Sequence, residues 1–214
     1  MLAQFNIRSK ENILILFLVI FYTVGTVGIL LPEYRETMLP LSPMNLLISF
    51  GALLLSRKNN FTPFLLMLLL CFIVGIVVEL IGTKTGLLFG EYAYGQNLGI
   101  KFMGVPWIIG LNWGILIVGT SSVLQQMKAS QFVKAILAAL LMTALDVLIE
   151  PVAIESDFWS WKHEEIPIFN YICWFAIAFP LQWINFKVKA VESNKVANGL
   201  LIIMTLFFLI LNIF

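Results

Sequence analysis

Charged residues are scarce in this chain: Asp, Glu, Lys and Arg make up 12% of its residues, whereas 60% are hydrophobic. Soluble domains carry about 25% charged residues, and the mean hydropathy of +0.96 also indicates that lipid surrounds most of the surface. A net charge of +1 and the lack of any basic cluster argue against a nucleic-acid-binding protein. We therefore expect an integral membrane protein.

Several residue patterns that carry familiar chemistry are also missing. Cys71 and Cys173 each stand alone in an apolar run, so no disulfide framework or zinc site is indicated. The single histidine, His163, has no suitably placed Ser or Cys nucleophile, which argues against a catalytic triad. No aspartate-rich pair for magnesium-diphosphate is present, and the last apolar segment, 197–214, has no lysine for a retinal Schiff base. Prenyl transferases and rhodopsins are therefore disfavoured.

The apolar residues fall into segments that are mostly long enough to cross a bilayer as helices, which takes about 20 residues. No repeat, low-complexity tract or linker divides the chain, so we predict one all-α domain over residues 1–214. The second segment is short and opens with Leu-Ser-Pro. The seven predicted spans are 12–31, 41–56, 62–82, 105–124, 132–154, 167–186 and 197–214.

Basic residues predict the orientation of this bundle. With a cytoplasmic N-terminus, nine of the 13 Lys and Arg residues, including Arg8 and Lys58, fall in inside loops and four in outside loops. The first apolar run is too long for a cleaved signal peptide. We expect the cytoplasmic membrane of a bacterium or archaeon.

Three carboxylates interrupt the apolar segments: Glu79, Asp146 and Glu150. An acid at the bilayer centre costs about 2.5–3.5 kcal/mol on insertion scales, so these residues are expected to have a function. The predicted orientation places all three in the outer half, beside the long loops 83–104 and 155–166. Asp146 and Glu150 are one helical turn apart. Like-charge repulsion and desolvation predict that one of the pair holds a proton.

Structural alternatives exist for each acid. Any of them could instead be paired with a polar group on a neighbouring helix. Gly75 and Gly82 share a helix side with Glu79, where they would allow another helix to approach closely. Glu91, in a Gly-Glu-Tyr-Ala-Tyr-Gly loop, is either a solvated acid or a site residue.

Aromatic residues cluster at the same level of the bundle. An interfacial belt explains Trp159 and Trp161 well. It explains Trp113 less well, because this residue lies about two turns inside the fourth segment, beside Asn112. An aromatic wall around buried acids would suit a long polyene and could stabilise a carbocation through the ring faces. The cluster comprises Tyr92, Tyr94, Trp107, Trp113, Trp159, Trp161 and Trp174.

Seven motifs follow one another between residues 75 and 185: Phe89–Gly95, Leu98-Gly99, Gly104–Ile108, Asn112-Trp113, Leu145–Ala153, Trp159–Trp161 and Ile166–Trp174. In this order they resemble the integral-membrane carotenoid biosynthesis proteins typified by carotenoid 1,2-hydratases of the bisanhydrobacterioruberin hydratase type. The chain departs from that pattern at Glu150, where aspartate is common before the proline. It also departs at Ile166, where glycine is frequent. A carboxylate is kept at the first position.

The resemblance implies that water adds to the terminal double bond of an acyclic carotenoid end group and gives a tertiary alcohol, with no metal or redox cofactor. Acid catalysis fits the residues: Asp146 would donate the proton with Glu150 as its partner, and Glu79 or Glu91 would act on water. The predicted binding residues are Tyr92, Tyr94, Trp107, Asn112, Trp113, Asn170 and Trp174.

Other functions remain compatible with these residues. A carotenoid end-group cyclase would begin with the same protonation but exclude water. A proton-coupled transporter could use the three acids as a relay, although the inner halves of the third and fifth segments are almost purely apolar. A structural scaffold would use them only to join helices.

Overall fold

The structure, a computed structural model, describes residues 9–57, 59 and 61–214. In this part of the chain every long element is an α-helix, as predicted. A turn of 3-10 helix at Leu39–Leu41 joins the second helix to the third. The helices are α1 (Lys10–Leu30), α2 (Pro32–Met38), α3 (Ser42–Ser56), α4 (Phe61–Thr85), α5 (Ile108–Leu124), α6 (Gln131–Glu155), α7 (Ile168–Val188) and α8 (Lys195–Ile213).

Five helical stretches are long and apolar enough to cross a membrane: Lys10–Leu30, Pro32–Ser56, Phe61–Thr85, Gln131–Glu155 and Lys195–Ile213. The second begins at Pro32 rather than at the predicted residue 41, because α2 and the 3-10 turn extend α3 backwards. Each predicted span corresponds to a helix, but two of these helices are not among the five: α5, which has only 17 residues, and α7, which has 21. The count of seven spans therefore stays a prediction.

The cytoplasmic position of the N-terminus also stays a prediction. Two of the basic residues on which this prediction is based, Arg8 and Lys58, lie outside the described residues.

Helix α5 lies at the centre of the bundle. Every residue from 113 to 122 is buried, as expected for a helix that is apolar on all sides. Helices α3, α4, α6, α7 and α8 all contact it. At Gly110 an added Cβ would lie 2.6 Å from the Phe72 ring of α4, so glycine permits this close packing. The outer helices expose Leu, Ile, Val and Phe side chains, which suits a lipid environment.

Short strands, which the sequence did not predict, organise the two long loops. β1 (Tyr92–Tyr94) pairs antiparallel with β4 (Trp159–Trp161). Gly95 directly follows β1. An added Cβ at this position would lie 2.2 Å from the backbone oxygen of Asp157, so only glycine fits. A second small ladder joins β2 (Lys101–Phe102) to β3 (Val105–Pro106). The β1–β4 pairing fixes the loop after α4 against the loop after α6.

The register of this pairing matters for the site. Tyr92 lies opposite Trp161, and Tyr94 lies opposite Trp159. Because side chains alternate between the two faces of a strand, all four rings belong to one face. This aromatic face packs beside the ends of α4 and α6 that carry the acids.

Candidate active site

The three acids predicted from the sequence line one pocket. Glu79 stands near the C-terminal end of α4, and Asp146 and Glu150 lie one turn apart near the C-terminal end of α6. Their exposed fractions are only 4%, 0% and 2%, respectively. The hydrogen-bond donors that reach them from the described residues are all uncharged. The pocket is therefore an acidic site inside an apolar bundle.

Glu79 is held by three donors. Its Oε2 accepts hydrogen bonds from the hydroxyls of Tyr92 and Tyr94, the latter at 2.7 Å, and its Oε1 accepts from Trp113 Nε1 at 3.3 Å. Burial, and then the charge of Glu79, raise the pKa of both tyrosines. Both hydroxyls therefore stay protonated and act as donors. Three donors on one carboxyl group favour its ionised form.

Two glycines make room for these aromatic donors. At Gly75 an added Cβ would lie 2.7 Å from the Trp113 ring, and at Gly82 it would lie 2.9 Å from the Tyr92 hydroxyl oxygen. The predicted close approach of another helix is therefore confirmed at Gly75, where Trp113 of α5 packs. At Gly82 the prediction of a helix is wrong, because the close neighbours are Tyr92 of β1 and the loop before it.

Glu150 also has three donors. Its Oε2 accepts from the indole nitrogens of Trp159 at 3.0 Å and Trp161 at 2.9 Å, and its Oε1 accepts from Asn170 Nδ2 at 3.1 Å. The interfacial-belt interpretation of these two tryptophans is therefore wrong, because β4 turns their indoles towards a buried acid. Three residues, Trp-Ser-Trp, are too short a stretch to have indicated this arrangement from the sequence.

Asp146 differs from the other two acids. Its Oδ2 accepts from Asn170 Nδ2 at 2.8 Å, so this amide bridges Asp146 and Glu150. Its Oδ1 is buried and has no hydrogen-bond partner among the described residues. Asp146 is thus the most deeply buried acid and the one with the fewest donors.

Aromatic and aliphatic side chains close the rest of the pocket. Trp174 lines it and stacks on Trp113, with ring centroids 4.5 Å apart and planes 9° from parallel. Asn112 lies at its edge, with Ile109 and Ile149. The free volume between the lining atoms is about 30 Å³. That is room for one or two water molecules.

The structure does not bring two of the predicted site residues into this pocket. Glu91 is exposed and forms an ion pair with Lys162, whose hydrogen bond and charge lower the pKa of Glu91. Trp107 is half-buried at the start of α5 and does not line the pocket. The remaining predicted residues line it or, in the case of Trp113, donate to Glu79.

Comparison with known proteins identifies the family. The sequence matches the family described as "Carotenoid biosynthesis protein" over residues 41–214. The matched segment includes every residue of the acid pocket and leaves out α1 and α2. No curated protein and no solved structure matches the chain.

Proposed function

Since this chain belongs to the carotenoid biosynthesis protein family, we propose that it is a carotenoid hydratase. It would add water to the terminal double bond of an acyclic carotenoid by acid catalysis and so form a tertiary alcohol. The observation that carries this proposal is the unequal pairing of the three buried acids. Glu79 and Glu150 each accept three hydrogen bonds, whereas Asp146 accepts one.

The unequal pairing assigns the proton donor. A buried polar atom without a partner costs about 1–3 kcal/mol, and more if it is charged. The unpartnered Oδ1 therefore makes the ionised form of Asp146 unfavourable. Repulsion from Glu150, one turn away, acts in the same direction. Asp146 is the neutral acid, and its proton goes to the alkene.

We assign the two other acids, Glu79 and Glu150, to the carbocation that forms after protonation. Asp146 protonates the less substituted carbon of the terminal double bond, and the π electrons form the new C–H bond. A tertiary cation remains at the neighbouring carbon. The fixed charges of Glu79 and Glu150 and the ring of Trp174, which lines the pocket, stabilise it. Water then forms the C–O bond, and its proton passes to a carboxylate, for which we assign Glu79. Return of a proton from Glu79 to Asp146 restores the acid for the next turnover.

The position of Tyr92 favours hydration over cyclisation. Tyr92 lines both the acid pocket and a polar surface cleft that contains Lys84, Glu91 and Lys162. Tyr92, which donates a hydrogen bond to Glu79, thus separates the acids from an aqueous cleft. A cyclase would need water kept away from the same place.

The experiment is expression of the chain in a host that accumulates lycopene, followed by chromatography and mass spectrometry of the pigments. We expect a product heavier than lycopene by one water. Asp146→Asn, which keeps the shape of the side chain but removes the acid, should lower product formation by about 10²–10⁴-fold. Glu155→Gln is the matched control, because Glu155 is an exposed acid on the same helix, outside the pocket.

Three outcomes would contradict the proposal. An isomer of unchanged mass would indicate cyclisation. No new pigment from a well-expressed protein, across several acyclic carotenoids, would argue against an enzyme of this kind. Equal product from Asp146→Asn and Glu155→Gln would remove Asp146 from the chemistry.

A further inference from the structure

A second cavity adjoins the acid pocket and is larger and far more apolar. Its free volume is about 220 Å³. Its walls come from α1, α3, α5 and α8, and the hydroxyls of Tyr22 and Ser42 on these walls are engaged by Ser49 and by the Leu39 carbonyl. Two amide side chains, Asn45 and Asn112, also line the cavity, and Asn45 Oδ1 has no hydrogen-bond partner among the described residues. The rest of the lining is mainly hydrocarbon. We call this cavity the apolar groove.

The apolar groove is continuous with the acid pocket. Four residues line both spaces: Ile109, Asn112, Ile149 and Trp159. One of them, Trp159, also donates to Glu150. A molecule that fills the inner end of the groove would therefore place its tip beside the three acids.

The other end of the groove opens at the lipid-facing surface. Val24 of α1 and Leu41 and Met44 at the start of α3 line it and are 55%, 44% and 47% exposed. Along α1 the lining runs from Phe21 to Ile29, about 12 Å of helix. The groove is thus an elongated apolar channel from the bilayer to the acids.

From this geometry we infer that the apolar groove binds one end of a linear polyene, which slides in from the bilayer between α1 and α3. The identity of the occupant rests on the proposed function. Pockets that enclose a whole drug-sized ligand measure about 300–1,000 Å³. A groove of about 220 Å³ therefore takes an end of a long hydrocarbon, while the rest stays in lipid.

Part of this wall lies outside the family match, which begins at residue 41. Phe21, Tyr22, Val24, Gly25, Ile29 and Met38 all line the groove and precede that residue. The acids thus lie in the matched segment, and α1 and α2 close the groove from outside it. We assign to α1 the selection of the end group that reaches the acids.

Gly25 offers a direct test. An added Cβ there would lie 3.9 Å from Phe207, in ordinary contact, so a small side chain fits and a large one fills the groove. Gly51 is the matched control, because it is also a glycine within a helix but has no heavy atom within 4 Å of an added Cβ. Gly25→Phe and Gly51→Phe therefore add the same bulk in two different places.

Binding and turnover are measured separately. In an Asp146→Asn background, lycopene retained per purified protein reports binding. In the otherwise unchanged chain, the hydrated product reports turnover. Gly25→Phe should lower both by about tenfold or more, and Gly51→Phe should leave both unchanged. Gly25→Leu should give an intermediate loss, and it replaces the larger variant if Gly25→Phe does not fold.

The outcomes separate this inference from the proposed function. Lycopene retention that falls with Gly25→Phe but not with Gly51→Phe, without any hydrated product, would support the groove and overturn the hydratase. Hydrated product that forms equally well in folded Gly25→Phe or Gly25→Leu would support the hydratase and overturn the groove. Failure of Asp146→Asn with Gly25 unchanged to retain lycopene would also overturn the groove.

Discussion

Polar residues gather at both ends of this helix bundle, but they do so in different ways. At the end formed by β1, β4 and the termini of α4 and α6, three buried acids meet neutral donors. At the opposite end Asn194 joins three helices: its Nδ2 donates to Ser56 Oγ at 2.9 Å, and its backbone nitrogen donates to Ser122 Oγ at 2.8 Å. Ser122 Oγ in turn donates to Asn198 at 2.7 Å.

The difference lies in how charge is paired. The side chains that bond Asn194 are neutral. The buried charge nearby, that of Arg57, is paired with Glu192, and Arg57 donates to the backbone oxygen of Ala190, as expected of groups that only join helices. The acid pocket concentrates carboxyl groups, leaves one oxygen without a partner and surrounds them with aromatic rings. The buried polar residues around Asn194 thus join helices. We assign the buried polar residues of the acid pocket to chemistry.

Glu150→Gln should sharpen this contrast most. The amide keeps the side-chain volume but removes a negative charge that we assign to cation stabilisation. It also places an NH₂ group opposite N–H groups of Trp159, Trp161 and Asn170, which donate to Glu150 in the unchanged chain. We expect product formation to fall by about 10²–10³-fold while the protein still folds. Product analysis in the lycopene host measures this, with Glu155→Gln as control. A loss below tenfold would remove Glu150 from the reaction.

Tyr94→Phe tests whether the donors to Glu79 matter beyond packing. The change removes one hydroxyl, 2.7 Å from Glu79 Oε2, and keeps the ring that packs on Trp159. A hydrogen bond to a charged group contributes about 1.5–3 kcal/mol. We therefore expect a loss of about 10–100-fold in turnover, together with a shifted pH dependence, because Glu79 would bind its proton more readily. Turnover that is unchanged at every pH would show that Tyr94 only packs.

Asn194→Ala should affect stability instead of chemistry. Asn194 caps α8 by accepting from the backbone nitrogens of Val196 and Ala197, and it also bonds Ser56. Loss of such a cap costs about 0.5–2 kcal/mol, so the thermal unfolding midpoint in detergent should fall. Turnover per folded protein should stay constant. Ser130→Ala removes the single-bond cap of α6 and should cost less. A selective loss of turnover in Asn194→Ala would break the contrast between the two ends.

The sequence predicted the helices and the meeting of the acids more fully than the loops. Long apolar runs specify helices because helices satisfy every backbone polar group internally in lipid. Helix phase and loop position then bring Glu79, Asp146 and Glu150 to one level. Strands of three residues, such as β4, are too short to leave a periodic signal, so the direction of Trp159 could not be predicted.

The position of the loop acid Glu91 also could not be predicted from the sequence. Its motif, with glycines and tyrosines on both sides, suits either a site residue or a solvated acid. Glu91 directly precedes β1, and the alternation of side chains from Glu91 to Tyr94 separates these possibilities only when the register of β1 with β4 is known. Tyr92 and Tyr94 then face Glu79, while the Glu91 side chain meets Lys162 at the surface.

Glu91→Gln should therefore have the smallest effect. At neutral pH we expect turnover within about twofold of the unchanged chain, because exposed ion pairs contribute little. Lys162 lowers the pKa of Glu91 in the folded state. The stabilising effect of the pair is therefore present above the unfolded value, about 4.3, and is lost as the pH falls through the lower folded pKa. The difference in unfolding midpoint between the unchanged chain and Glu91→Gln should accordingly shrink towards zero in acid. Glu165→Gln, a neighbouring exposed loop acid, is the control. If Glu91→Gln instead lost turnover as Asp146→Asn does, the surface cleft would belong to the reacting site, and the contrast would lie between the two faces of β1 instead of between the two ends of the bundle.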